Sequence, residues 1–319
     1  MNALGATRRR RVIFALAMAA ALAVSVSEAM AYPGAHIHVV RPSETLASIA
    51  THYYGDPRRE MILVSENALT AQGGSDIVVG LRLLVPSVRH HRVEEGETWM
   101  QIAERYYGDG TRAFVLTEAN GGTGPHPDVG AELLIPYPLR HVSGQNETLR
   151  RIAQQYYGDD RREYVQRLRR FNGLRSVRVT RGRVVLVPLA DLVLTDEGRQ
   201  TIAEATGSEV EGGRVRALQQ QIDEQLPGLR AHVHGGRYAE AVALANRLLG
   251  AGELTGNQLV SIQRELGTAY VALGRADLAE EAFAAAIERQ PDLELDSTRT
   301  SPTVLRAFRR AKSGRAATD

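Results

Sequence analysis

The sequence predicts an α+β protein, with three small strand–helix–helix–strand modules in tandem before an all-α domain of helical hairpins. Three observations predict it. The string Tyr-Tyr-Gly-Asp begins at residues 53, 106 and 156, and self-similarity at a near-constant period marks one unit built several times. Each copy closes on an apolar strand ending in proline: "LRLLVP" at Pro86, "AELLIP" at Pro136 and "RVVLVP" at Pro188. From about residue 213 the pattern turns wholly helical and alanine-rich.

Arg8, Arg9, Arg10 and Arg11 precede the apolar run "VIFALAMAAALAVSVS", and Ala29-Met30-Ala31 follows it. A basic head, a short apolar core and an A-x-A end predict an export signal over residues 1–31, cleaved after Ala31. The run is short for a membrane span, which needs about 20 residues, and no second one follows. The mature chain is expected to be soluble, in the periplasm or cell envelope, with no transmembrane span. The general and twin-arginine export routes both stay open. Of 39 basic and 37 acidic residues the segment takes four arginines and Glu28, leaving 35 and 36. A chain so near neutrality predicts no nucleic-acid partner. It has no cysteine, which excludes thiol catalysis, cysteine–zinc sites and a cysteine-linked lipid, and leaves the cores alone to hold an exported protein together.

The three copies, 32–88, 89–138 and 139–190, align without gaps upstream of the repeated string. The segments are "HVVRPSETLASIATHYYGD" (38–56), "HRVEEGETWMQIAERYYGD" (91–109) and "HVSGQNETLRRIAQQYYGD" (141–159). Downstream, Asn67, Asn120 and Asn172 correspond. Leu46, Ile49, Ala50 and Tyr53 fall on one helical face, as do Trp99, Ile102, Ala103, Tyr106 and Leu149, Ile152, Ala153, Tyr156. Thr45, Thr98 and Thr148 are suited to N-cap these helices, and Thr98 with Gln101 fits a capping box. The first tyrosine is read as the last core residue of helix one. Gly55, Gly108 and Gly158 are read as left-handed C-caps. Asp56, Asp109 and Asp159 are expected to cap helix two, with Pro57 in its first turn. The repeated string is thus a joint between helices rather than a catalytic site.

These residues resemble the lysin motif, LysM, over roughly residues 36–190: a strand, "(G/S/N)-E-T-(L/W)-x-x-I-A", "Y-Y-G-D", an asparagine and a closing "L-x-(V/I)-P". The resemblance implies a βααβ fold that binds glycans containing N-acetylglucosamine, mainly peptidoglycan and chitin. It implies a shallow groove between the loop after strand one and the loop before strand two, read largely by backbone amides. By position it places Ser43, Glu44, Thr45 and Leu46 beside Ile77 and Val78. In copy two it places Gly96, Glu97, Thr98 and Trp99 near His126 and Pro127. In copy three it places Asn146, Glu147, Thr148 and Leu149 near Leu174. The glycine expected before the Glu-Thr pair stands only at Gly96, with Ser43 and Asn146 in the outer copies. Sugar affinity is therefore expected to differ among copies.

Residues 191–212 read as a polar, acidic linker with room for one short helix. In 213–319, Ala279, Ala282, Phe283, Ala286 and Ile287 keep helical spacing to Pro291, and Leu259, Ile262, Leu266 and Tyr270 form a facing helix broken at Gly274. Leu266, Gly267, Tyr270, Gly274, Ala279, Phe283, Ala286 and Pro291 resemble a tetratricopeptide repeat, and "GRYAEAVALANRLL" (236–249) is a fainter copy. Ser301-Pro302 reads as the start of a last amphipathic helix. The resemblance implies a concave surface that takes a protein partner. With fewer than three repeats, the module is expected to lean on a partner, a second copy, or the third LysM-like unit.

His36-x-His38, His90-His91 and His232-x-His234 each offer two metal ligands, fewer than a tight site needs. His38, His91 and His141 open strand one of every copy, so a repeated structural role explains them better. No cofactor is implied. With the repeats and helices filling the chain there is no space for a hydrolase domain, and a non-enzymatic role is expected. The leading expectation is a peptidoglycan-binding protein whose helical module recruits a partner. The alternative is an envelope assembly or ion-sensing scaffold whose LysM-like folds do not bind sugar.

Overall fold

The computed structural model describes residues 35–69, 77–206 and 213–315. The expected export signal lies outside them. Three units of the same build follow one another. The first is β1 (Ala35–Val39), α1 (Leu46–Tyr54), α2 (Glu60–Glu66) and β2 (Arg82–Pro86). The second is β3 (Arg89–Arg92), α3 (Trp99–Tyr107), α4 (Ala113–Asn120) and β4 (Glu132–Ile135). The third is β5 (Tyr137–Val142), α5 (Leu149–Tyr157), α6 (Arg162–Phe171) and β6 (Val184–Leu189). In each, the two strands pair antiparallel, with His38 opposite Leu83, His91 opposite Leu133 and His141 opposite Val185.

The joint is built as its residues dictate. Thr45, Thr98 and Thr148 accept the N–H three residues on, with full capping boxes at Thr45–Ser48 and Thr98–Gln101. Gly55, Gly108 and Gly158 end the first helices with φ of 72°, 63° and 69°, which a Cβ would strain. Asp56 and Asp109 cap short 3₁₀ turns, Pro57–Arg59 and Gly110–Arg112, that lead into the second helices. Asp159 departs from expectation. It accepts the Arg161 N–H at 2.8 Å, but α6 starts one residue later with no side-chain cap.

Both tyrosines of the string have a repeated task. The second donates its hydroxyl to the carbonyl of the closing proline region: Tyr54 to Pro86 at 2.8 Å, Tyr107 to Pro136 at 2.9 Å and Tyr157 to Pro188 at 3.1 Å. In the second unit this residue, not the first tyrosine, is the buried one, because the Tyr107 ring packs edge-on against Phe171 of the third unit. The aligned asparagines clamp helix two to strand two. Each donates to two carbonyls, Leu63 and Leu84, Leu116 and Leu134, or Leu168 and Leu186, and accepts the N–H of Leu84, Leu134 or Leu186. One amide side chain thereby satisfies three backbone groups that would otherwise be orphaned.

The units lean on one another. Glu66 accepts the Tyr137 hydroxyl at 2.9 Å, joining first to third. The Arg112 guanidinium donates to the Phe171 carbonyl, joining second to third. The expected linker is instead part of the first unit's wall. Leu192 and Leu194 are buried around exposed Val193, and α7 (Asp196–Thr206) sets Ile202 in the core of the first unit. Alternating leucines, read as loop, supplied the apolar face. Its N-terminus is tied down by Thr195, whose N–H reaches the Tyr53 carbonyl at 2.9 Å.

The C-terminal region is all helix: α8 (Arg214–His234), α9 (Tyr238–Gly250), α10 (Gly256–Ala272), α11 (Ala276–Arg289) and α12 (Pro302–Arg315). Successive helices pack through short side chains. A Cβ on Gly267 would stand 2.7 Å from the Phe283 ring, so only glycine lets α10 and α11 approach this closely. Ala279, Ala282, Ala286 and Ile287 are buried along the same seam, while Leu259 and Tyr270 are half-buried. Among the described residues the helices hydrogen-bond to the second unit rather than the third. Gln219 donates to the Gly130 carbonyl and accepts the Glu132 N–H, and Gly256 N–H reaches the Val129 carbonyl.

Candidate functional site

Each unit presents the same constellation where strand one turns into helix one. A glutamate, a histidine and a tyrosine form a chain. His38 lies 2.8 Å from Glu44 through Nε2 and 3.0 Å from Tyr53 through Nδ1. His91 stands 2.7 Å from Glu97 and 3.2 Å from Tyr106. His141 stands 3.0 Å from Glu147 and 2.9 Å from Tyr156. All three histidines are buried. Each carboxylate also accepts a backbone N–H, from Arg41, Glu94 or Gly144.

Burial alone would raise these carboxyls, yet all three sit below the ordinary glutamate range. At Glu44 the Arg41 N–H and His38 outweigh burial; at Glu97 the Glu94 N–H, His91 and Arg105 do so. At Glu147, His141 and the Gly144 N–H do the same. Burial pushes the Tyr156 hydroxyl up to about 12. The constellation is a brace that fixes the turn, and it uses the three aligned histidines, which stand near the end of strand one rather than at its opening, where the sequence had suggested them. Among the described residues no three His, Asp or Glu side chains converge on a metal-sized point.

The turn itself has a left-handed residue at the aligned position in all three units: Ser43 at φ 69°, Gly96 at 80° and Asn146 at 57°. Asparagine tolerates this conformation; serine carries strain there. Thr45, Thr98 and Thr148 have their hydroxyls committed as caps, and Leu46, Trp99 and Leu149 are buried under the turn.

The facing wall differs from unit to unit. In the third, the loop before β6 is zipped onto the turn. Leu149 N–H donates to the Val177 carbonyl at 2.8 Å and Val179 N–H to the Glu147 carbonyl at 3.1 Å, with Thr148 and Arg178 as a β-bridge. The residues brought to Glu147–Leu149 are thus Val177, Arg178 and Val179. Leu174 lies just past the end of α6, its N–H on the Arg169 carbonyl, and is not brought to the turn. In the first unit Ile77 packs on the core and Val78 is exposed.

The second unit has no such zip among its described residues. There Trp99 takes the place of the leucines, 6 % exposed, and its indole Nε1–H is buried without a hydrogen-bond partner. Its ring packs against Gly122, where a Cβ would come within 2.6 Å of Cζ2. His126 is exposed and Pro127 buried in the same loop. The contact that positions the ring is therefore with Gly122, which the sequence reading missed. The pair Gly121-Gly122 after Asn120 was its signal: the first caps α4 at φ 63°, and the second leaves room for the ring. An indole donor so buried and unpaired costs free energy unless something accepts from it.

The comparisons with known proteins agree with this geometry. Two proteins of Mycobacterium tuberculosis, Esterase MT1326 of strain CDC 1551 and Esterase Rv1288 of strain H37Rv, are each 31% identical to this chain over 85 residues. The match covers 26% of this chain and 18% of each relative, so the chain spans about a fifth of the length of the curated relatives it matches. No solved structure matches the chain. Residues 91–136 and 144–188, the second and third units, match the LysM domain, a binding module for peptidoglycan or chitin-like glycans.

Proposed function

We propose that the protein is a non-catalytic binder of N-acetylglucosamine glycan, peptidoglycan first, and that the second unit is its principal sugar site. The observation that carries this reading is the unpartnered indole N–H of Trp99 under an unzipped turn. An acetamido carbonyl is an acceptor of the right kind for that donor, and an aromatic ring offers it an apolar bed. In the third unit the backbone groups at the matching place already satisfy one another, so a sugar there would have to replace two hydrogen bonds. The first unit shares the Glu–His–Tyr brace, the asparagine clamp and the left-handed turn, and we assign it to the same family of folds on those grounds. The helical region, read as a tetratricopeptide-like module, would present its groove to a protein partner. Residues 1–31 would export the chain to the envelope.

The test uses the only tryptophan in the chain. Titrating chitooligosaccharide should change its emission saturably, and Trp99→Leu should weaken binding while the brace keeps the unit folded. Saturation seen by calorimetry with a fixed emission spectrum would remove Trp99 from the site. Failure of the full chain to sediment with purified sacculi would favour the scaffold reading instead.

A further inference from the structure

The segment between residues 169 and 183, "RRFNGLRSVRVTRGR", holds six arginines and no acidic residue. Outside it, the chain from residue 32 onward has 29 basic and 36 acidic residues, so the positive charge is gathered in one place. The structure shows where part of it goes. A recess of about 670 Å³ lies at the seam between α4 and α6, lined among others by Phe114, Glu118, Glu163, Arg169, Arg170 and Arg175.

The two acids of this recess are answered. Glu118 takes Arg167 at 2.8 Å, and Glu163 faces Arg161 at 3.6 Å. Arg169, Arg170 and Arg175 have no acidic partner among the described residues, and neither do Arg178, Arg181 and Arg183 further along the loop. All but Arg169 are exposed. The Arg170 guanidinium lies 4.0 Å above the Phe114 ring, which holds its plane fixed and leaves its N–H edge free for a ligand.

We propose that this seam and the loop leading from it bind a flexible polyanionic chain carrying phosphate groups. Three guanidiniums in a recess, continued by three along an extended loop, suit a linear polymer that passes one charge after another. Planar guanidinium forks match phosphate bidentately, and the Phe114 ring holds that of Arg170 in place for such a contact. This site is separate from the proposed sugar site and does not rest on it.

The experiment uses the full mature chain and inorganic polyphosphate as the probe, with affinity measured across a range of salt. Counterion release should give a linear fall of log K with log salt, with a slope of about −4 if each of the six arginines neutralises a phosphate. The triple variant Arg169→Gln, Arg170→Gln, Arg175→Gln should lose about half of that slope and at least about tenfold in affinity at low salt. Because none of the three has an acidic partner among the described residues, circular dichroism should stay unchanged, and melting should fall by no more than the loss of the Arg170–Phe114 contact. Arg170→Lys, which keeps the charge but not the fork, should fall between. A control triple on α12, Arg306→Gln, Arg309→Gln, Lys312→Gln, should bind as the parent does. Equal loss in the control would mean diffuse attraction and overturn the proposal. So would a salt-independent affinity, or binding to phosphatidylglycerol vesicles with none to polyphosphate, which would point to a membrane surface.

Discussion

The hydroxyl of Tyr156 stands 2.5 Å from Oγ of Ser65, across 91 residues of sequence. It also meets Nδ1 of His141 at 2.9 Å, so this one oxygen closes the brace of the third unit and binds it to α2 of the first. Among the described residues the hydroxyls of Tyr53 and Tyr106, at the same place in their units, hydrogen-bond the histidine alone.

Removing the hydroxyl should therefore be unequal in effect. Tyr156→Phe leaves buried His141 and half-buried Ser65 unmet and should cost about 2 kcal/mol, against about 1 kcal/mol for Tyr53→Phe or Tyr106→Phe. Denaturation midpoints of the three variants decide it. Equal losses would show that the Ser65 contact contributes nothing.

The three braces predict an acid limit. Glu44, Glu97 and Glu147 are held below the ordinary range in the folded chain. A depressed folded pKa adds stability that is present above the unfolded value, about 4.3, and is lost as pH falls through the folded one. Stability should thus decline progressively below about pH 4.3. Glu66 runs the other way: burial raises its pKa, so its ionisation erodes stability as pH climbs through and above the ordinary range. Urea midpoints taken from pH 3 to 7 should show the acid loss, and Glu97→Gln should shrink it. A midpoint flat across that range would contradict the assignment.

Much of each unit was legible because its determinants are local. Caps, left-handed glycines and the i, i+3, i+4 faces are set by residues within a turn or two of each other. The asparagine alignment was visible, but not its clamp, since its partners on strand two lie 14 to 17 residues away. What could not be read was the way the units stack. Buried contacts such as Tyr107 on Phe171 use residues that would look equally at home in a single core. The site was half legible: Trp99 stood out, but an orphaned N–H and a zipped third groove are tertiary facts.

The left-handed turn offers a stabilising substitution. Ser43 sits at φ 69° where the second unit has Gly96 at 80°. A non-glycine residue there carries about 1 kcal/mol of strain, partly offset because glycine loses more freedom on folding. Ser43→Gly should be neutral or stabilising by up to about 1 kcal/mol, whereas Gly96→Ser should destabilise by a similar amount. Opposite signs in the two melting shifts are the expected result; matching signs would mean that the turns are not equivalent.

The docking of the helices on the second unit turns on Gln219. Its side chain is buried and fully used: Nε2 donates to the carbonyls of Gly130 and Glu253, each at 2.8 Å, and Oε1 accepts the Glu132 N–H at 2.9 Å. Around it, Glu132 accepts the N–H groups of Gly213 and Arg216, and the Asp128 carboxylate accepts that of Asn257. These bonds cap the start of α8 and α10 with groups from another unit, so the helices alone would expose them. Gln219→Ala should cost about 1–3 kcal/mol by orphaning one donor and two acceptors. Gln219→Glu should cost more, because an acceptor-only carboxylate would then face two carbonyls. Residues 213–319 expressed alone should be helical yet melt well below the full chain. Amide exchange in α8 should quicken in both point variants before α11 responds, since α11 packs on α10 and α12. A fragment that melts at the temperature of the full chain would show that the helices need no support from the second unit.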